Sequence, residues 1–460
     1  MNLEALVDAS REDMVKTLQG AVKINSVEAA AEPGFPFGRG PAECLAYMLQ
    51  QAEAMGFRTQ NVDNYMGWCE YGEGPTMVGV LGHLDVVPAG DGWTKDPFSG
   101  DTDGKNVFGR GTMDDKGPVT SALYALKAIK DSGIPLKKRI RILFGTNEET
   151  GSLDMKHYLD TGGEIPVCGF TPDGEYPVIN GEKGIINVVY EKNYAQSGSL
   201  QLVKISGGSA FNVVPALATA ELSCDGTMAK ALAREFGDSD PKVTVQIAAP
   251  GLIVKATGVQ AHGAHPELGE NAIGRLVQFL SKLPLSGEIK DTLTFLGDRI
   301  GLEVHGESLG ICLEDKASGK LSFNVGVIFG DAKKLTLKIN YRYPVTKHYE
   351  DCAPKLDAAF AKAGFSKLEE KHNTALFIDP KTDYIQTMLS VYGEMTEFKP
   401  ETICIGGGTY AKSIPNIVAF GPIFPGDEVR EHLPNEYWEI DKMVLNAKIY
   451  AETLRRLAGA

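Results

Sequence analysis

The run Val78-Gly-Val-Leu-Gly-His-Leu-Asp-Val-Val87 constrains this chain more than any other stretch. It is apolar and rich in β-branched residues, so it predicts a buried strand. Its C-terminal end carries His83 and Asp85, and alternate positions of an extended chain share one face. A neutral imidazole binds a divalent metal, and a carboxylate beside it can fix its tautomer and orientation. Alone, His-x-Asp is more often a strand end entering a polar loop than a site. The same event recurs along the chain, and the recurrence changes the reading.

Residues 139–146, RIRILFGT, predict a second buried strand, with Glu148 and Glu149 at its end. A short strand over 166–171 leads to Pro172-Asp173. A late strand over 417–421 precedes a loop with His432. The glycine-rich loop after the first strand ends in Thr112-Met-Asp-Asp-Lys-Gly117, and a helix is predicted over 118–132. One acid before a helix can be a plain cap; two successive acids after Gly-x-Gly need more explanation. Open α/β sheets place their sites outside the carboxyl ends of strands.

The terminal segments alternate strands with helices predicted over 3–23, 41–56 and 381–395, which fits an α/β, mostly parallel sheet. The middle reads differently. Strands are expected at 185–191, 201–205, 217–223, 243–247, 252–257, 321–329 and 335–341, with helices at 227–236, 269–283 and 350–363. None of these strands ends in an acidic pair. The expectation is one domain built from residues 1–183 and 381–460, interrupted by an inserted α+β domain over 184–380. A chain of 460 residues exceeds what one compact core usually serves.

The net charge of −14 argues against non-specific binding to nucleic acid or anionic membranes. The first residues carry acids and no apolar core of a signal peptide, and no run approaches the roughly 18 apolar residues of a membrane span. Seven scattered cysteines, odd in number and without C-x-x-C, point to reduced thiols and a cytoplasmic location.

The collected candidates are His83, Asp114, Glu148, Glu149, Asp173 and His432. Two imidazoles with carboxylates suit zinc, and also manganese or cobalt. A bridging carboxylate can hold two ions about 3.5–4 Å apart, and a further carboxylate must stay free as proton shuttle. The adjacent Glu-Glu pair could supply one ligand and one base. Other features carry less. Gly406-Gly-Gly-Thr-Tyr-Ala-Lys-Ser413 nearly spells a phosphate-binding loop, but Ala411 occupies the required second glycine. His157, His305, His348 and His372 lack partner acids at ligand spacing. Leu368-Glu-Glu-Lys371 reads as a solvated face.

Gly82-His-Leu-Asp-Val-Val-Pro88, Gly109-Arg-Gly-Thr-Met-Asp-Asp-Lys-Gly117, Asn147-Glu-Glu-Thr-Gly151 and Pro172-Asp173 resemble the signatures of the M20 metallopeptidases. Pro172-Asp-Gly-Glu-Tyr-Pro-Val-Ile-Asn-Gly-Glu-Lys-Gly184 and Gly406-Gly-Gly-Thr-Tyr-Ala411 are similar, more narrowly, to PepV-type dipeptidases. The motifs stand in order over essentially the whole chain. The resemblance implies a catalytic domain with an inserted lid, two divalent ions per chain (zinc first) and a small peptide substrate. It implies that Asp114 bridges the ions, that His83 and Asp173 complete one site and Glu149 and His432 the other, and that Glu148 is the general base. Asp85 would orient His83. In the insert, Asn212, His262 and Arg342 match residues that contact substrate; alignment selects His262 over His265. His262 would stabilise the oxyanion, and Arg342 would grip the peptide's carboxylate, with backbone N–H groups of Gly407 and Gly408 at the same carboxylate. Lys412 stands where the family usually has arginine, and a lysine is a point charge, not a bidentate fork. The large insert implies a chain active as a monomer. The resemblance also implies a cis Asp114–Asp115 bond.

Three rival functions share parts of this pattern. A related amidohydrolase would cleave N-acyl amino acids or N-acyl diamines by the same chemistry. A metal-binding protein without turnover would have no use for the spare carboxylate of Glu148. A metal-dependent phosphohydrolase fits the donors but not the resemblance.

Overall fold

A computed structural model describes residues 2–459. The chain divides into two compact units. The first runs through Asn180, then takes up Ile378–Ile403 and everything from Gly408 onward; the second comprises Gly181–Phe377 and Cys404–Gly407.

The first unit is built on a sheet whose strands lie in the order Arg58–Val62, Met66–Tyr71, Arg139–Gly145, Met77–His83, Cys168–Thr171, Ile417–Ala419 and Val178–Glu182. The four central strands, from Arg139–Gly145 to Ile417–Ala419, are parallel to one another. The outer pairings are antiparallel. The central strands are the apolar runs visible in the sequence; every residue of Met77–His83 is buried, as a strand covered on both faces requires. Helices Lys116–Ser132 and Ile440–Leu457 pack together, and the N-terminal helices also contact Lys116–Ser132. One core holds Val80, Ile142, Phe144, Phe170, Leu123, Val418 and Tyr450.

Two local departures from expectation have physical causes. The helix predicted over 3–23 is two helices, Leu3–Ala9 and Arg11–Val22. Ser10 Oγ donates to the Leu6 carbonyl at 3.0 Å, a local bond that competes with the helical ladder. The antiparallel pair Arg58–Val62 and Met66–Tyr71 was not predicted; the first of these strands is polar and largely exposed.

The second unit carries an antiparallel sheet in the order Val243–Ala248, Gly251–Thr257, Leu217–Ser223, Gln201–Gly207, Ser322–Asp331, Lys334–Tyr343, Gly184–Asn193 and Ser366–Asn373. Helices Gly226–Phe236, Ala272–Leu280, Glu288–Arg299 and Ala353–Lys362 accompany it. Asp225 and Asn271 cap two of them, each accepting two backbone N–H groups. The solvated run Leu368–Lys371 lies within the edge strand Ser366–Asn373, exposed along almost its whole length. Charges on such an edge deter further pairing. Among the described residues no helix is long and apolar enough to cross a membrane.

Candidate metal centre

The candidate residues of the first unit converge where the central strands end. His83 is the last residue of its strand. Glu148 and Glu149 come after Arg139–Gly145, and Asp173 after Cys168–Thr171. Asp114 precedes helix Lys116–Ser132, and the Asp114–Asp115 bond is cis. His432 sits in its loop at φ 61°, a left-handed conformation that costs a non-glycine residue of order 1–3 kcal/mol and is concentrated at functional sites.

Asp114 lies between the two imidazoles. Its Oδ1 is 3.0 Å from His83 Nε2 and its Oδ2 is 2.9 Å from His432 Nε2. His432 Nε2 is also 3.2 Å from Glu149 Oε1, and His83 Nε2 is 4.0 Å from Asp173 Oδ2. Two triads, His83–Asp114–Glu149 and His83–Glu148–Asp173, each offer ligand atoms within 4.8 Å of one another. His83 Nδ1 is 3.0 Å from the Asp85 carbonyl. A carbonyl only accepts, so Nδ1 carries a proton in either charge state; in the ion-free chain Nε2 faces Asp114 as a donor, and it is the nitrogen that a metal would take once that proton is lost. The Asp85 carboxylate, 1% exposed, accepts the backbone N–H groups of Glu148 and Glu149, each at 3.1 Å.

The charge balance is lopsided. In the ion-free chain burial raises Asp173 to about 7, with the charge of Asp114 adding to it. Burial and the charge of Asp173 push Glu148 well above the ordinary carboxylate range. The hydrogen bonds from His432 and His83 overcome burial at Asp114 and hold it low. His432 is raised to about 11 by its hydrogen bonds to Asp114 and Glu149. Burial works against protonation of His83, but its hydrogen bonds to Asp114 and Asp85 prevail and raise it. Four crowded carboxylates facing two imidazoles form an oxygen-rich donor set with two borderline nitrogens, which fits divalent zinc, manganese or cobalt.

Supporting residues surfaced that sequence reasoning did not single out. Asp115, fully buried, accepts the His83 backbone N–H at 3.1 Å. Gly82 makes room for it: a Cβ there would lie 2.6 Å from Asp115 Oδ2 and 2.3 Å from Val119 Cγ2. Asp154 accepts the N–H groups of Thr146 and Asn147 at 2.7 and 3.0 Å and the Tyr410 hydroxyl at 2.5 Å. Tyr410 stands edge-on to the His83 ring, 6.2 Å between centroids, and its backbone N–H bonds Asp173. Of these, the doubled acid at 114–115, Gly82 and Tyr410 lie within motifs visible in the sequence, and Asp154 does not.

Asn212, His262 and Arg342 belong to the second unit. His262 pairs with Val213 across a two-residue bridge. Burial lowers its pKa, and the charges of Arg342 and His265 lower it further. Asn212 is exposed, its carbonyl accepting the Gly263 N–H at 2.7 Å. Arg342, 4% exposed, donates to Asn340 Oδ1 at 3.1 Å and to the Gly406 carbonyl at 2.7 Å. Gly407 falls in the second unit and Gly408 in the first. His157, His305 and His372 have local partners in Asp63, the Leu321 carbonyl and the Tyr343 hydroxyl.

The sequence pattern of peptidase family M20/M25/M40 matches residues 79–456. A Bacillus subtilis (strain 168) protein named "Putative dipeptidase YtjP" is 37% identical over 469 residues, covering 100% of each chain. The Beta-Ala-Xaa dipeptidase of Lactobacillus delbrueckii subsp. lactis is 32% identical over 467 residues, 99% of this chain and 98% of that one. Among solved structures, the aminoacylhistidine dipeptidase of Vibrio alginolyticus superposes with a TM-score of 0.61 at 15% identity over 96% of both chains. Human carnosine dipeptidase 1 gives 0.56 at 16% identity, covering 100% of this chain and 99% of that one. These two structures share the fold. With a family match over most of its length and full-length relatives above 30% identity, the chain belongs to peptidase family M20/M25/M40.

Proposed function

We propose that this chain is a dipeptidase that uses two divalent ions, zinc first and manganese or cobalt as alternatives, to hydrolyse short unblocked peptides. The observation that carries the reading is Asp114, which turns one carboxylate oxygen to His83 and the other to His432. That is the disposition a bridging ligand needs. In this reading His83 and Asp173 would hold one ion and Glu149 and His432 the other. Bound divalent ions supply Lewis-acid polarisation of the scissile carbonyl and bring the pKa of nearby water towards ~7.

The chain's own residues supply the rest. Glu148 takes a proton from the attacking water and delivers it to the leaving amine. Asp85 keeps Glu148 in place through its backbone N–H while its own carbonyl fixes the His83 tautomer. His262 is assigned to the oxyanion, Asn212 to substrate, and Arg342 with the N–H groups of Gly407 and Gly408 to the peptide carboxylate, all by resemblance. One chain carries both residue sets, so a monomer is the proposed active form. A cytoplasmic location is part of the same reading. The names of the relatives favour dipeptides over N-acyl amino acids. The test is metal titration followed by a panel of free and N-acylated dipeptides. Saturation near two ions and cleavage of the free dipeptides is expected. Full activity with one ion, or cleavage of the N-acylated set alone, would overturn it.

A further inference from the structure

Behind the proposed ligands lies a buried ion pair that touches neither the proposed ions nor the residues assigned to substrate. Arg110 and Glu436 are 2% and 0% exposed, with Arg110 Nη1 2.8 Å from Glu436 Oε2. Burying two charges is costly, and removing one partner leaves the other stranded. Such a pair is weak evidence for stability and asks for another reason to exist. Its surroundings supply one.

Each oxygen of Glu436 accepts from the turn that presents Asp114. Oε2 accepts the Gly111 N–H at 3.1 Å; Oε1 accepts those of Met113 and Asp114 at 2.8 and 3.3 Å. The Glu436 carbonyl accepts the Gly109 N–H at 3.0 Å. The turn thus wraps one carboxylate. That carboxylate belongs to the loop that carries His432. A short ribbon, Tyr437–Glu439 against Asn106–Phe108, brings the two loops together.

Arg110 extends the tie to a third loop. Its Nη1 also donates to the Leu433 carbonyl at 3.3 Å, and its Nη2 donates to that of Ala89 at 3.2 Å. Ala89 lies just beyond His83 and Asp85. The guanidinium stands over the Trp93 ring, 5.3 Å from its centroid. The loop that follows His83 and the two that present Asp114 and His432 therefore meet on one ion pair. Glu149 and Asp173 have separate supports, in Asp85 and the Tyr410 N–H.

We infer that Glu436, with Arg110, is a positioning residue for the metal centre, setting the distance between the two imidazoles and the bridging carboxylate. The inference rests on the metal reading above. Both oxygens of Glu436 accept and neither faces an acceptor, so the device needs a carboxylate at 436 and a forked cation at 110.

The test is Glu436→Gln, with Arg110→Lys as the second variant. In Gln the amide nitrogen must face N–H donors whichever way it turns. Lys keeps the charge and loses the fork that reaches Leu433 and Ala89. Apo protein should keep the wild-type far-UV circular dichroism while Zn²⁺ affinity falls ~10- to 100-fold, the usual effect of losing an outer support of a metal ligand. The visible spectrum of the Co²⁺-loaded variants should change with the altered coordination. If either folded variant binds Zn²⁺ within about threefold of wild type with an unchanged cobalt spectrum, the inference fails. If both variants unfold and excess Zn²⁺ does not restore them, the pair serves the fold at large and the inference also fails. Wild-type protein that binds no Zn²⁺ would instead refute the metal reading on which it rests.

Discussion

Replacing Asp85 by Asn changes one atom and leaves the shape of the side chain intact. In the wild type Oδ1 accepts the Glu148 N–H and Oδ2 the Glu149 N–H, each at 3.1 Å, and Oδ1 lies 3.5 Å from His83 Nδ1. Asn can satisfy one of the two N–H groups; its NH₂ then meets the other head-on. A hydrogen bond to a buried charged group is worth about 1.5–3 kcal/mol. At about 1.4 kcal/mol per factor of ten, the loss amounts to roughly 10- to 100-fold in whatever depends on that geometry. The damage should be selective. His83 Nδ1 bonds the backbone carbonyl of residue 85, which Asn retains, so the His83 tautomer survives. Glu148 and Glu149 lose their anchor. In steady-state kinetics on a cleaved dipeptide at saturating Zn²⁺, kcat should fall ~10- to 100-fold with KM moved less than about threefold, the signature expected if the proposed base is misplaced. A kcat within about threefold of wild type would show that the turn after Arg139–Gly145 needs no help from Asp85.

Two further predictions rest on neighbouring carboxylates. Glu148→Gln should keep its metal and lose at least ~10²-fold in kcat, whereas Glu149→Ala should lose metal; reversed phenotypes in metal analysis would exchange the base and the ligand. Burial and the charge of Asp85 raise Asp154 from 3.8 to about 6, against the pull of its Tyr410 and backbone hydrogen bonds. The folded chain therefore keeps a proton that the unfolded chain releases first, so this contribution to stability is complete below pH 3.8 and is lost as pH rises through about 6. Between about pH 4 and pH 7, chelated wild type should lose about 3 kcal/mol relative to Asp154→Asn in denaturant melts; a gap that stays constant over that range would refute it.

The strand-end residues were legible because a buried parallel strand writes itself as an apolar run, and the residues just past the run stand over the sheet's carboxyl edge. His83, Glu148, Glu149 and Asp173 could be found this way, and the central strands with them. Strand Arg58–Val62, polar and largely exposed, and strand Ser366–Asn373, mostly charged and at the sheet edge, carry no such signature. Helix Glu288–Arg299 was missed as well, although Ile289, Leu293 and Leu296 give it a buried stripe. For the two strands tertiary pairing, not local pattern, decides the conformation.

The acids that support the site have a common form. Asp85, Asp154 and Glu436 each accept two or more backbone N–H groups from a loop that presents a proposed ligand or base. Asp85 alone was singled out, because it stands beside His83 in the strand. Asp154 belongs to a helix of eight residues after the Glu-Glu pair, and Glu436 is 326 positions from Arg110. A ligand must be a particular residue type at a strand end, and sequence displays that. The acid that holds its loop can come from anywhere in the chain, since its only duty is to meet N–H groups that water cannot reach. The candidate donors could thus be named from the sequence, while the carboxylates proposed to set the distances between them come together only in three dimensions. On this account variants of the ligands should abolish metal binding outright, and variants of the supporting acids should weaken it by degrees.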